Sequence, residues 1–106
     1  MEITESFWTS YRIQVAEAAK AAAEYERLEA MTRVIKSRLM QESLEKSSAG
    51  QERDAYSSGE YVTHLGRVHD ARLAMETARG ELSVLRDQLE VWRTKRADRR
   101  AEINLR

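Results

Sequence analysis

An alternating three-and-four spacing runs unbroken from Tyr61 to Trp92, through His64, Val68, Ala71, Met75, Ala78, Leu82, Leu85 and Leu89. That rhythm puts ten side chains on one side of an α-helix, in the heptad arrangement whose a and d residues meet a neighbouring helix. With Tyr61 taken as an a position, the e positions are Leu65, Arg72, Arg79, Arg86, Arg93 and Arg100, so five arginines in succession edge the apolar seam. A strand alternates with period two and cannot present this pattern on one face. The stretch therefore dictates one long helix and demands a partner for it.

The rest of the chain supplies that partner. The 106 residues contain no proline, and an abundance of Ala, Glu, Arg and Leu suits long helices. We expect one all-α domain over residues 1–106, with a first helix at about 5–45, a connection at about 46–58 and a second helix at about 58–104. Thr4 is a natural N-cap and Glu5 complements the positive end of the first helix. Its stripe reads Trp8, Tyr11, Val15, Ala18, Ala22 and Tyr25, then shifts phase and continues as Leu28, Met31, Ile35 and Leu39. Successive spacings of three make that shift a stammer, which overwinds a supercoil locally. The alanine-rich segment 16–23 has little bulk and lets another helix come close.

Ser47, Ser48, Ala49 and Gly50 break the periodicity. Ser48 with Gln51 forms a capping-box pattern for a short helical turn through Tyr56, and Ser57 with Glu60 forms a second that would start the long helix near Ser58. Gly66 and Gly80 fall at f positions, outermost from the seam, where each costs about 1 kcal/mol relative to alanine. The simplest fold is an antiparallel two-helix coiled-coil hairpin. A turn centred near residue 53 would set Tyr11 and Val15 beside Trp92, set Ile35 and Leu39 beside Val68 and Ala71, and bring Trp8 to Trp92. Off-seam apolar residues, among them Ile13, Val34, Leu73, Val84 and Val91, would still need cover. A homodimer forming a four-helix bundle supplies it, with Val68, Met75, Leu82, Leu85, Leu89 and Trp92 as the expected self-association residues.

Charge is balanced overall, 18 basic against 18 acidic, so no global field recruits nucleic acid or an anionic membrane. It is uneven locally. Residues 1–45 hold eight acidic and six basic side chains, whereas 61–106 hold ten basic and seven acidic. The surplus collects at Arg93, Lys95, Arg96, Arg99 and Arg100, beside Trp92 and opposed in that window by Asp98 alone. Guanidinium groups pair with carboxylates or phosphates, and aromatic rings stack on bases. The competing expectation is that Trp92 belongs to the core and that the e-row arginines pair across the seam with Glu17, Glu24, Glu26 and Glu29.

Catalytic and metal chemistry find no footing. There is no cysteine, which removes disulfides and thiolate ligands and suits the cytoplasm. His64 and His69 are five apart and poorly set to share an ion. Glu17 and Glu24 lack the Glu-x-x-His motif that completes a di-iron bundle site. No nucleophile, base and acid arrangement and no phosphate-binding glycine loop is legible, so we expect no enzyme, no cofactor and no metal. The longest apolar run is far too short to span a bilayer, and the first fifteen residues hold Glu2 and Glu5 instead of a basic leader. The expectation is a cytoplasmic protein without a membrane role.

The segments Gly59-Glu60-Tyr61-Val62-Thr63-His64-Leu65 and Glu90-Val91-Trp92-Arg93-Thr94, with Arg99-Arg100-Ala101-Glu102 following, resemble small helical proteins of bacteriophages and prophages. The resemblance covers most of residues 25–103. It implies an origin among early phage genes near recombination or replication functions, and it assigns no role to any residue. Two functions follow as expectations. The first is a phage-encoded interaction or adaptor protein that dimerises and docks onto another protein in the host cytoplasm. The alternative is an accessory nucleic-acid-binding protein in phage DNA recombination or replication, using the basic end of the second helix.

Overall fold

The computed structural model describes residues 2–105. Among them the chain is all-helical, with α1 (Glu5–Glu42), α2 (Ser48–Ser57) and α3 (Gly59–Leu105), and no strand. No described helix is long and apolar enough to cross a membrane. Thr4 caps α1 as expected: its Oγ1 accepts from the Phe7 amide at 3.1 Å and its carbonyl from the Trp8 amide at 3.2 Å.

The seam read from the sequence of α3 is the seam the structure buries. All ten positions from Tyr61 to Trp92 are buried or half-buried, and every other residue between Glu60 and Val91 is exposed. Met75, Leu82 and Leu89 keep 6%, 7% and 8% of their surface, a burial the single chain achieves by itself. Each such side chain contributes on the order of 1.5–3 kcal/mol. A second copy that used these residues would first have to displace what already covers them.

The stripe of α1 differs from expectation. Its buried or half-buried positions are Phe7, Trp8, Tyr11, Gln14, Ala18, Ala21, Ala22, Tyr25, Leu28, Thr32, Ile35, Lys36, Leu39 and Met40, so the expected Trp8 and Ala22 are covered, and one unbroken alternation of fours and threes runs through the set from Phe7 to Leu39. There is no stammer. Val15 and Met31, chosen for their hydropathy, are 43% and 39% exposed, while polar Gln14 and Thr32 take the inward positions. Hydrogen bonds make this tolerable, because a covered polar group is costly only when it lacks a partner.

The chain divides into two compact units, one of Met1–Ala19 with Glu76–Arg106 and the other of Lys20–Met75. In the second, Thr32 Oγ1 lies 2.9 Å from His64 Nε2, and Arg38 pairs with Glu60. Numbers rise on α1 as they fall on α3, so the two segments run antiparallel. Ile35 therefore stands level with the turn between residues 60 and 64, short of the expected Val68 and Ala71. The reason is α2, which packs against α1 instead of capping a symmetric turn. Ser43 donates to Asp54 at 2.5 Å, and Lys36 reaches Glu52 at 3.4 Å and lies 4.8 Å from the Tyr56 ring centroid. By residue 60 the chain is back at the level of Arg38, and α3 starts about two turns lower on α1 than a turn centred on residue 53 would place it. Tyr56 meets Tyr61 edge-on at 5.4 Å, and Ala55 is wholly buried.

Both predicted capping boxes move. Ser47, not Ser48, caps α2, its side chain accepting from the Gly50 amide at 3.0 Å, while Gln51 Nε2 donates to the Glu45 carbonyl. A Cβ at Gly50 would sit 3.0 Å from both Glu45 Cβ and Ser47 Oγ, so the cap is built around the missing side chain. Ser57 turns back to the Arg53 and Asp54 carbonyls and Glu60 is engaged by Arg38, so they form no box. Ser58, in extended conformation, ends α2, and its carbonyl accepts from the Val62 amide in the first turn of α3.

In the first unit Gln14 Nε2 donates to the Ala78 carbonyl at 3.1 Å. Trp8, six residues before Gln14, stands level with about residue 84, and Trp92 lies about 12 Å further along at 1.5 Å per residue. The expected meeting of Trp8 and Trp92, and of Tyr11 and Val15 with Trp92, gives way to a local cluster. Trp8 lies edge-on to Phe7 at 5.7 Å and to Tyr11 at 6.0 Å.

Candidate docking surface at the basic helix end

The register of the first unit decides what becomes of the basic end. Since Gln14 is level with Ala78 and α1 begins at Glu5, nine residues earlier, α3 outruns the start of α1 from about residue 87 onward. Residues 93–105 continue the helix with every side chain exposed. The heptad continues in phase here. After Leu89 and Trp92 the inward positions are Arg96, Arg99 and Ile103, flanked at e by Arg93 and Arg100 and at g by Lys95 and Glu102. Beyond Trp92 the residues at the seam positions change from apolar to arginine, which lets the extension stand in water.

A groove of about 410 Å³ opens along this side, lined by Trp92, Lys95, Arg96, Arg99, Arg100 and Ile103 on α3, with Glu2 opposite. Arg96 stacks over the half-buried Trp92, its guanidinium carbon 5.2 Å from the ring centroid. Arg93 is held aside by Glu90, at 3.0 Å within the helix. Lys95, Arg96, Arg99 and Arg100 have no ion pair among the described residues. Four cations thus share about 7.5 Å of helix rise.

Of the glutamates expected to meet the e-row, Glu24 is engaged within its own helix instead. Glu24 bonds Arg27 one turn along its own helix, at 2.7 and 3.1 Å, and this pair holds the Glu24 carboxyl below its ordinary range and raises Arg27. Among the sequence-derived contact residues, the structure brings Lys95, Arg96, Arg99 and Arg100 into one groove and leaves Arg93 outside it. The self-association residues Val68, Met75, Leu82, Leu85, Leu89 and Trp92 lie in the intrachain seam. Ile103 and Glu2 were missed as lining residues; the three-and-four count, carried four steps past Leu89, reaches Ile103.

Elsewhere the polar inventory is occupied or dispersed. His64 is 4% exposed and committed to Thr32. His69 is exposed, and no group of three or more His, Cys, Asp or Glu among the described residues is placed to hold a metal. No protein family matches the chain, and no curated protein or solved structure matches it.

Proposed function

We propose that this chain is a non-enzymatic docking module of the host cytoplasm, an antiparallel two-helix hairpin of coiled-coil type whose basic end binds an acidic surface of another protein. The observation that carries the reading is the groove itself, where four cations without ion-pair partners among the described residues converge, Arg96 and Arg99 at seam positions and Lys95 and Arg100 beside them. Such cations are an electrostatic half-site: they steer an acidic partner and fix its register. The resemblance to small phage proteins supports a partner of phage or host origin. A homodimer fits the same reading if it uses exposed residues such as Val84 and Val91 and leaves the filled seam intact. Nucleic acid is the second reading, favoured by the same cations beside Trp92, although Arg96 already covers the ring.

The test compares binding of polyglutamate, a 20-nucleotide single strand and a 20-base-pair duplex at low and physiological salt. The wild type should hold polyglutamate, and the Arg96→Glu, Arg99→Glu, Arg100→Glu variant should lose it with helicity unchanged. Tighter binding of an oligonucleotide at physiological salt, with a steep salt slope, would transfer the site to the second reading. Binding unaffected by the triple reversal would remove this groove from consideration.

A further inference from the structure

The groove's polar and apolar residues are ordered, and the order specifies more than acidity. Resting on the docking role just proposed, we propose that the α3 extension is an open half-seam that takes an acidic amphipathic helix of a partner protein, laid along the line that α1 vacates. Three observations converge. The inward positions of the extension remain in heptad phase with the seam that α1 fills, so the surface continues an interface already formed within the chain. Those positions are mixed, Trp92 and Ile103 bracketing Arg96 and Arg99, and Ile103 is 62% exposed at the far end. Lys95 and Arg100 flank the line, where coiled coils place the charges that choose a partner.

An unstructured acidic tail would satisfy the arginines and leave Ile103 in water. A helix with apolar residues at its outer seam positions and carboxylates between and beside them satisfies both. The extension of thirteen residues is about 20 Å long, room for nearly two heptads of contact. A second copy of this extension is the wrong occupant, because pairing like with like would bring arginines against arginines.

The experiment uses the full chain with Trp8→Phe, leaving Trp92 as the sole indole reporter. The probes are a 21-residue peptide with leucine at its outer seam positions and glutamate facing Arg96, Arg99 and both flanks, a scrambled peptide of identical composition, and a 15-base-pair duplex. The ordered peptide should bind about tenfold or more tighter than the scrambled one and gain helicity on binding. Arg96→Glu with Arg99→Glu should abolish that binding, and Ile103→Ser should narrow the ordered-to-scrambled ratio. All three substitutions lie on the exposed extension and leave the fold intact. Equal affinity for both peptides would overturn the helical partner while leaving an acidic docking role standing. Binding of the duplex in preference to both would overturn the two readings together, and binding of neither peptide would overturn this one.

Discussion

Thr32 on α1 and His64 on α3 meet at 2.9 Å inside a largely apolar seam, and each is the other's cross-helix polar partner. The Thr32 hydroxyl also lies 3.4 Å from the Leu28 carbonyl, so one donor and one acceptor role are both in use. Breaking one side strands the other: Thr32→Val leaves a buried imidazole nitrogen without its bond and should cost about 1–3 kcal/mol. Combining Thr32→Val with His64→Leu removes both polar groups and should recover most of that loss. A urea double-mutant cycle reads the coupling directly, and additive losses would show that the pair does not act as a unit.

The phase of α1 is equally open to test. On a continuous seam Leu28 faces inward and Met31 faces out, whereas a stammered stripe buries both. Leu28→Gln should therefore cost about 2 kcal/mol or more, and Met31→Gln no more than about 0.5 kcal/mol. Comparable losses at the two positions would restore the stammer.

That contrast shows what the sequence discloses and what it hides. On α3 every seam position is apolar, aromatic or His64, and counting alone recovers all ten. On α1 the same counting was diverted twice, to Val15 over Gln14 and to Met31 over Thr32, because hydropathy ranks the wrong neighbour higher. Phase was the better guide: Tyr11, Ala18, Tyr25, Leu28, Ile35 and Leu39 fit one alternation only if residues 14, 21 and 32 complete it. The basic end was visible as composition. Its place beyond the start of α1 was not, since that depends on the register between α1 and α3, which the Gln14 to Ala78 bond reveals and counting does not.

Glycines on this chain should respond in opposite directions. Gly66 and Gly80 are helical, and nothing lies within 4 Å of where a Cβ would stand, so Gly66→Ala and Gly80→Ala should each stabilise by about 0.5–1 kcal/mol. Gly50→Ala pushes against Ser47 Oγ and Glu45 and disturbs the α2 cap, a loss of about 1 kcal/mol that offsets its propensity gain. Thermal melts separate the cases. Loss of assembly on either outer-face substitution would show a second molecule packed against that glycine.

Two ion pairs set opposite pH limits. Lys36 is raised above its ordinary value, first by its bond to Tyr56 and then by Glu52. Its contribution is complete below the unfolded lysine value and is lost as pH rises through the higher folded one. Glu24 is lowered by Arg27, so its contribution is present above the unfolded carboxylate value and fades as pH falls through the folded one. Side-chain NMR titration should find Lys36 titrating above the ordinary lysine value and Glu24 below the ordinary glutamate value. Lys36→Met should remove the alkaline effect and leave the acid one. Both pairs are solvated, so the effects are small and salt-sensitive.

The arginines of the extension also have a negative role, and it can be isolated. Leu82, Leu85, Leu89 and Trp92 would run on as a continuous apolar edge if positions 96 and 99 were leucine, with Ile103 completing it. Such an edge on an uncovered helix is an invitation to pair with its own copy, and two like-charged extensions cannot accept it. Arg96→Leu with Arg99→Leu should therefore convert the end into a self-association site, whatever oligomeric state the wild type has. Sedimentation equilibrium should show a larger species than wild type at the same concentration, and Ile103→Asp in that background should reverse the change. An unchanged mass would mean that the extension does not present a usable seam, and the helical-partner proposal would fall with it.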